Sequence, residues 1–238
     1  MSALPLLPEL PVNTPPPATE VVAGSHCASL IKEFARRARR CSLAKASGTT
    51  VFMSCFFLGY FYLLHHPKFP VTQMPLTALD HLIPFVPTAL PAYASLWFYV
   101  CLPPTLLVNL RQLFFYTAWI GSLCLTGLSC FYFWPTAVPE TGLKAPDSLG
   151  FAILQGVDAT GNACPSLHVA TAVFSAIWLD HLLREINAHF RWRILSWLWV
   201  ALICWSTLAI RQHVVLDVVA GLLLAFMFAI PSLHLRPR

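Results

Sequence analysis

The chain has 238 residues, a net charge of +5, 57% hydrophobic residues and only 11% charged residues. Because a soluble domain carries about 25% charged residues, these values exclude an ordinary soluble enzyme and predict an integral membrane protein. The basic residues cluster ahead of the first apolar run, and this position favours anionic lipid head groups over nucleic acid as their partner.

The N-terminal region is predicted to stay outside the bilayer. Residues 1–25 are rich in proline and almost uncharged, which is typical of a disordered lead-in, and no basic segment precedes an apolar core as in a cleavable signal peptide. Residues 26–47 carry Leu30, Ile31 and Phe34 on one side and basic residues on the other. This pattern predicts an amphipathic helix that lies on the membrane surface.

Six apolar runs follow, each close to the ~20 residues that a membrane-spanning helix needs. They lie at residues 48–64, 93–110, 113–134, 167–184, 193–210 and 213–232. The second run contains Pro103 and Pro104, which neighbouring helices can accommodate. The predicted fold is therefore all-α: a six-helix membrane bundle over residues 48–238, preceded by the surface helix.

The distribution of charge predicts how this bundle is oriented. With a cytoplasmic N-terminus, 12 of the 15 Lys and Arg residues fall on the cytoplasmic side, and only Lys68, Lys144 and Arg211 fall outside. This asymmetry follows the positive-inside rule. It predicts cytoplasmic termini, a location of bacterial inner-membrane type, and loops 135–166 and 211–213 together on the outer face.

Two polar clusters stand beside the apolar runs. One is Pro165-Ser166-Leu167-His168, and the other is Arg211-Gln212-His213 followed by Asp217. Ionisable groups next to hydrocarbon are costly, so both clusters are candidate functional sites. The spacing of His213 and Asp217 places them on one face of a helix. Asp217 would then orient the imidazole and leave its other nitrogen as a nucleophile or base.

The first cluster has the features of a phosphate site. Ser166 is a natural N-cap, and the start of a helix favours a bound anion. His168 lies in the first turn and could donate a proton, while the fork of Arg211 matches phosphate oxygens. The alternatives are structural: a polar pair of His213 and Asp217, a capping His168 and an interfacial Arg211. Because the chain has no metal-ligand spacing, neither a metal nor another cofactor is predicted.

The two clusters resemble the second and third signature motifs of the type 2 phosphatidic acid phosphatase superfamily, over roughly residues 75–232. Leu167, where many members have Gly, looks more like the branch of the inositol phosphorylceramide and sphingomyelin synthases. The resemblance implies a six-span fold and assigns His213 as nucleophile, Asp217 as its partner and His168 as general acid. It also implies that Ser166 and the backbone of Leu167 bind phosphate.

Two positions differ from the family pattern. Its first motif, a Lys followed seven residues later by Arg-Pro, is absent, so Lys144 is the basic residue assigned to the phosphate from that loop. The third motif usually has its Arg six residues before the His, whereas Arg211 lies two residues before His213. We therefore expect Arg211 to replace the missing arginine.

The predicted activity is metal-independent hydrolysis of a lipid phosphate or diphosphate through a phosphohistidine, at the outer membrane face. One alternative is a phosphotransferase that moves a phosphorylated head group to the hydroxyl of a second lipid. Another alternative is a membrane transporter or scaffold without enzymatic activity.

Overall fold

The computed structural model describes residues 30–139 and 161–237, which form helices and two short strands. In chain order the elements are α1 (30–39), α2 (Ser42–His65), β1 (Thr72–Gln73), α3 (Ala78–Leu82), a 3₁₀ turn (Pro87–Ala89), α4 (Leu90–Ala94), α5 (Leu96–Tyr99), α6 (Leu102–Leu106), α7 (Leu110–Phe133), β2 (Thr136–Ala137), α8 (Leu167–Glu185), α9 (Phe190–Ala209) and α10 (Val215–His234).

Four of these helices are long and apolar enough to cross a membrane: α2, α7, α9 and α10. Their presence supports the prediction of a helical membrane protein. Helix α8 is less apolar, because it also carries ionisable side chains such as Asp180 and Arg184. Thirteen of its nineteen residues are nevertheless buried, and α6, α7, α9 and α10 all pack against it. Helix α8 is therefore the centre of the bundle.

Polar contacts inside the bundle join α8 to its neighbours. The indole N–H of Trp178 donates to the hydroxyl of Ser232 in α10 at 2.8 Å. The hydroxyls of Tyr116 in α7 and Ser175 in α8 lie 3.4 Å apart. Such interhelical hydrogen bonds hold helices together where the surroundings are as apolar as the core itself.

The second predicted span, at 93–110, is wrong as a continuous helix. The chain forms the short helices α4, α5 and α6 instead, and α7 begins already at Leu110. Proline lies in the first turn of α4 (Pro91) and of α6 (Pro103 and Pro104). Because proline has no N–H and its ring clashes with the carbonyl four residues earlier, a helix can begin with it but cannot run smoothly through it.

The predicted surface helix is also divided. Helix α1 ends before Cys41, which has a left-handed φ of 53°, and residues 42–47 begin α2. The junction is held by the buried Lys45, whose ammonium donates to the carbonyl oxygens of Arg37 (2.7 Å) and Thr105 (2.8 Å). Arg37 also lies 3.7 Å from Glu185 at the end of α8. We call this end of the bundle the far end.

The opposite end, which we call the site end, is organised by a small parallel sheet. Strands β1 and β2 pair through Thr72 with Thr136 and Gln73 with Ala137. Ala137 also pairs with Gly161. This ladder joins the loops that follow α2 and α7 to the segment that leads into α8.

Candidate active site

The start of α8 is set by Pro165 and Ser166. The Cys164–Pro165 peptide bond is cis. The hydroxyl of Ser166 accepts a hydrogen bond from the Val169 N–H at 3.3 Å, so the predicted N-cap is confirmed. The Ser166 N–H donates to the carbonyl oxygen of Asp217 at 3.1 Å. This backbone bond brings the two polar clusters of the sequence into direct contact.

Glycine permits this close approach of α8 and α10. A Cβ at Gly221 would lie 2.5 Å from the carbonyl oxygen of Ser166 and 3.2 Å from Cβ of Val169. A second glycine, Gly127 in α7, leaves the space that the side chain of Leu167 fills, because a Cβ there would overlap that leucine. Leucine at position 167, in place of the glycine of many family members, is thus accommodated by a glycine on the neighbouring helix α7.

The turn from α9 to α10 is a Schellman motif. The Gln212 N–H donates to the Thr207 carbonyl at 3.0 Å, and the Arg211 N–H donates to the Leu208 carbonyl at 3.1 Å. Arg211 has a φ of 62°, the left-handed position that glycine or asparagine usually occupies. A residue with a Cβ is disfavoured there by about 1–2 kcal/mol. The presence of arginine therefore points to a role for its side chain.

The guanidinium of Arg211 holds the backbone near α3. It donates to the carbonyl oxygens of Asp80 at 3.0 Å and Ile83 at 2.8 Å. Its Nε is buried and has no hydrogen-bond partner. The observed contacts are thus to main-chain carbonyls, and phosphate binding by Arg211 stays a prediction.

Asp80 is a site residue that the sequence interpretation missed. Its carboxylate is only 2% exposed and accepts hydrogen bonds from the N–H and hydroxyl of Thr77, both at 2.7 Å, and from the Val215 N–H at 2.8 Å. Val215 is the first residue of α10, so Asp80 caps a helix that begins 135 residues later. The Thr77-x-x-Asp80 spacing, a capping-box pattern, was the available signal.

The environment of Asp80 favours its ionised form. Burial alone would raise its pKa, but the hydrogen bonds from Thr77 and Val215 and the charge of Arg211 outweigh burial and lower the pKa below its ordinary value. A fixed negative charge therefore lies at the start of α10, where the helix dipole stabilises it.

His213 and Asp217 come together, but not on a helical face. Helix α10 begins at Val215, so His213 precedes it. Asp217 is fully buried, and its Oδ2 accepts a hydrogen bond from the Val214 N–H at 2.9 Å and lies 3.5 Å from Nδ1 of His213. The carboxylate meets the imidazole because it turns back to cap its own helix. Neither His213 Nδ1 nor Asp217 Oδ1 has a hydrogen-bond partner.

His168 is held by aromatic side chains of the broken segment. Its Nε2 lies 3.0 Å from the carbonyl oxygen of Tyr93. Because a carbonyl can only accept, Nε2 carries a proton, and Nδ1 is the nitrogen that can exchange one. The ring stacks on that of Tyr93 with centroids 3.9 Å apart, and the Trp97 ring stands edge-on at 5.8 Å. No residue spacing in the sequence indicated that Tyr93 and Trp97 would pack against His168.

Both histidines line one cavity of about 100 Å³ at the site end. Asn162 adds an amide to its wall, and the remaining walls are largely aromatic and aliphatic. Helix α2 contributes Phe52, Met53, Phe56, Phe57, Tyr60 and Phe61. The structure thus places His168 and His213, which are 45 residues apart in the chain, around a single small space.

Unpartnered polar atoms are concentrated in the segment around His213. In the part of the chain that the structure describes, four buried side-chain nitrogen or oxygen atoms have no hydrogen-bond partner. Three of them belong to Arg211, His213 and Asp217. Since buried polar atoms are nearly always paired, this concentration is typical of groups that a ligand completes.

Two further predictions, the phosphate contact of Lys144 and the absence of a metal, are not tested by the structure. Lys144 lies outside the described residues, so its proposed contact with phosphate stays a prediction. Across residues 30–139 and 161–237, no three His, Cys, Asp or Glu side chains are arranged to hold a metal ion.

Comparison with known proteins gives one match. The family model described as the PAP2 superfamily matches residues 77–231. This range includes both polar clusters as well as Asp80 and the segment that clamps His168. No curated protein and no solved structure matches the chain.

Proposed function

The chain belongs to the PAP2 superfamily, and from this membership and the site geometry we propose that it is a membrane phosphatase that hydrolyses a lipid phosphate or diphosphate through a phosphohistidine. Family membership indicates phosphatase or phosphotransferase chemistry in general. The observation that carries the specific proposal is the convergence of His168 and His213 on one cavity, with the carboxylate of Asp217 3.5 Å from His213.

In the first step His213 attacks phosphorus. Nδ1 faces the carboxylate of Asp217 at 3.5 Å, so Nε2 is the attacking nitrogen. A small rotation of either side chain turns this contact into a hydrogen bond, a tightening that is common when a substrate binds. Asp217 then stabilises the positive charge on the imidazole as the N–P bond forms and the P–O bond to the lipid breaks.

His168 moves the proton in both steps. In its charged form it keeps the Nε2–H on the Tyr93 carbonyl and donates the Nδ1 proton to the departing lipid oxygen. The neutral ring then accepts a proton from water as that water attacks phosphorus and breaks the N–P bond. Inorganic phosphate leaves, and both histidines return to their starting forms.

The phosphate is bound by the start of α8 and by basic side chains. Ser166 and the backbone of Leu167 lie at the N-terminal, positive end of α8. Arg211 would contribute its Nε, which has no hydrogen-bond partner among the described residues. Lys144 is the proposed contribution of the 135–166 loop.

We also propose that the protein crosses the membrane six times, with the site end on the outer face. The broken segment from α4 to α6 and the enclosed helix α8 would supply the two crossings beyond the four apolar helices. The far end carries Arg37, Lys45, Arg193 and Arg236, in agreement with a cytoplasmic location. Labelling of single cysteines placed at 68 and 236 by an impermeant reagent in intact cells tests this orientation, since only position 68 should react.

The activity is tested with purified protein in lipid nanodiscs and a panel of lipid phosphates, with and without EDTA. We expect phosphate release that survives EDTA and is lost in His213→Ala and His168→Ala. His181→Ala is the matched control, because His181 lies at the far end beside Glu185. Equal phosphate release by the wild type and both site variants would refute the roles proposed for the two histidines, and no release from any lipid phosphate by the wild type would favour a transporter or scaffold. Activity that requires a metal would refute the mechanism.

The same assay separates hydrolysis from group transfer. A phosphotransferase passes the phosphorylated group to a lipid hydroxyl instead of water, so adding an acceptor lipid would produce a new phospholipid. Acid-labile ³²P on the wild-type protein, absent from His213→Ala, is expected for either reaction. Its absence under rapid quenching would contradict the covalent intermediate.

A further inference from the structure

His168 has no acidic partner in the cavity that it lines. The proposed reaction needs a positive charge on this imidazole, which is 8% exposed and lies between aromatic and aliphatic walls. Among the described residues that line the cavity, none is acidic. The carboxylate of Asp217 lies beside the other histidine, His213, at 3.5 Å. Because burial disfavours a charge that has no partner, another group has to stabilise the charged form of His168.

Two groups of Tyr93 meet the imidazole of His168. The carbonyl oxygen lies 3.0 Å from Nε2 and accepts a hydrogen bond from it, a bond that is stronger when the donor is charged. The phenol ring stacks on the imidazole with an interplanar angle of 12° and centroids 3.9 Å apart. Aromatic pairs usually keep their centroids about 4.5–7 Å apart, so this stack is closer than usual. Since the face of an aromatic ring attracts a cation, both contacts favour the charged imidazole.

The fold holds Tyr93 in this position. Tyr93 is the second-last residue of α4, where carbonyl groups lack the usual partner four residues later. Its ring is only 4% exposed and packs in a small cluster with Ala89 and with Ala209 and Ile210 at the end of α9. In a continuous helix the Tyr93 carbonyl would accept from the N–H of Trp97. The break between α4 and α5 therefore directs this carbonyl to His168.

We propose that Tyr93 is a positioning residue that makes His168 an effective acid, because its ring face and its carbonyl together stabilise the charged imidazole. This inference rests on the proposed function and deepens it, since it names the group that controls proton donation to the departing lipid oxygen. A neutral partner suits this task better than a carboxylate, which would bind the proton so strongly that His168 would donate it poorly. His213 has to gain and hold a charge instead, and its partner is Asp217.

The titratable and charged groups around His168 come from several elements. In the part of the chain that the structure describes, those that line the same cavity are Tyr60 of α2, Tyr93 of α4, Cys124 of α7 and His213. Asp217 of α10 contacts His213, and Arg211 binds main-chain carbonyls near α3. Among side-chain types, only histidine ordinarily changes charge between about pH 5 and 8. A pH profile over this range therefore reports the two histidines.

Weakening the stack has a signature that a structural defect lacks. The first step needs His168 charged and His213 neutral. At high pH both rings are neutral, and the reactive form arises when His168 takes up a proton, so kcat/KM depends on how well Tyr93 stabilises that charge. At low pH both rings are charged, and the reactive form arises when His213 loses a proton, which Tyr93 does not affect. A weaker stack should therefore lower kcat/KM at high pH alone.

The test replaces Tyr93 by phenylalanine and by phenylalanines with one, two or three fluorine atoms on the ring. Fluorine withdraws charge from the ring face and hardly changes the volume, so the packing is kept. The substrate is whichever of dioleoyl phosphatidate and farnesyl diphosphate releases phosphate faster in nanodiscs. At about pH 8 we expect kcat/KM to fall stepwise to about a tenth of the Tyr93→Phe value, a factor that corresponds to ~1.4 kcal/mol, whereas the values at about pH 5 should coincide. Equal values throughout, or an equal fall at both pH values, would overturn the inference.

Tyr99 of α5 offers a matched control. Its ring is also buried, but its hydroxyl lies 2.7 Å from that of Ser196 in α9 and it does not line the catalytic cavity. The same fluorinated series at Tyr99, compared with Tyr99→Phe, should give the same ratio at both pH values. A selective loss at high pH in this series would refute the assignment of the effect to the stack on His168.

A measurement without turnover separates failure of this inference from failure of the proposed function. In protein labelled with ¹⁵N-histidine, the imidazole signals that are missing in His168→Gln report the charge of His168 at each pH. In the trifluorinated variant this ring should lose its charge at a lower pH than in Tyr93→Phe. That shift without phosphate release from any lipid would leave the role of the stack standing and refute the phosphatase. Phosphate release without that shift would refute the role of Tyr93 alone, and absence of both would refute both.

Discussion

Replacing Gly221 by alanine tests the contact on which the candidate site depends. The new Cβ would lie 2.5 Å from the Ser166 carbonyl oxygen. The Cβ and this oxygen would have to move apart by about 0.5 Å even to reach an unusually tight contact of about 3.0 Å. Val169, whose Cβ would lie 3.2 Å from the new Cβ, limits this movement. The displaced group is the backbone of Ser166, whose N–H is bonded to Asp217. The perturbation therefore acts directly on the start of α8.

Two opposing terms set the magnitude. Alanine is preferred over glycine inside a helix by about 1 kcal/mol. Overpacking of a close contact costs about 1–3 kcal/mol, so we expect a net loss of up to about 2 kcal/mol in the free energy of unfolding. The effect on rate should be larger, because a displacement approaching 1 Å can cost about 10²-fold in a positioned active site. We expect kcat to fall about tenfold or more, with a smaller change in KM.

The measurement combines thermal unfolding in nanodiscs with kcat and KM on one lipid phosphate. Gly48→Ala is the matched control, because the same change there meets open space and should leave stability equal or raise it by up to about 1 kcal/mol. Wild-type stability and kcat in Gly221→Ala would refute the argument that close packing of α8 and α10 positions the site.

Three further substitutions test other contacts. Arg211→Gly keeps the left-handed turn but removes two hydrogen bonds to main-chain carbonyls, so we expect the free energy of unfolding, measured by chemical denaturation, to fall by about 1–2 kcal/mol. This loss should be larger than in Arg211→Lys, and an equal or smaller loss would contradict the proposed anchoring of the backbone by the guanidinium. Asp80→Asn should cost about 1–3 kcal/mol at neutral pH. Because the pKa of Asp80 in the folded protein is lowered from 3.8, its carboxylate contributes fully to stability above pH 3.8, and this contribution declines as the pH falls through the folded pKa. The stabilities of the wild type and Asp80→Asn should therefore converge in acid. A difference in stability that grows in acid would refute the role assigned to Asp80. Gly127→Ala should destabilise the protein, because its Cβ would meet the side chain of Leu167, and Leu167→Gly should relieve this effect in a double-mutant cycle. Losses of stability that simply add would contradict the packing of Leu167 against Gly127.

Local signals in the sequence predicted much of the helical framework. The Pro165-Ser166 pair predicted the start of α8, and its N-cap is confirmed by the bond to Val169. Long apolar runs predicted α2, α7, α9 and α10 within a few residues, apart from the early start of α2. These features depend on neighbours in the chain, where periodicity and capping act directly.

The predictions that failed depend on contacts between distant segments or on competition within one segment. The apolar run 93–110 satisfies a hydropathy criterion, yet its prolines break the helix. His213 and Asp217 have helical spacing, but α10 begins between them at Val215, and the carboxylate of Asp217 caps this start through the Val214 N–H. The clamp of His168 by Tyr93 depends on tertiary packing, which leaves no periodic pattern in the sequence.

The contacts of Arg211 have a consequence for how such a site changes in evolution. The guanidinium recognises the carbonyls of Asp80 and Ile83, and every residue type supplies a carbonyl. The identity of residue 83 is therefore free to drift while the hydrogen bond to its backbone persists. A hydrogen-bonded contact between two distant segments can then be present in homologues whose sequences show no shared motif at one of its ends.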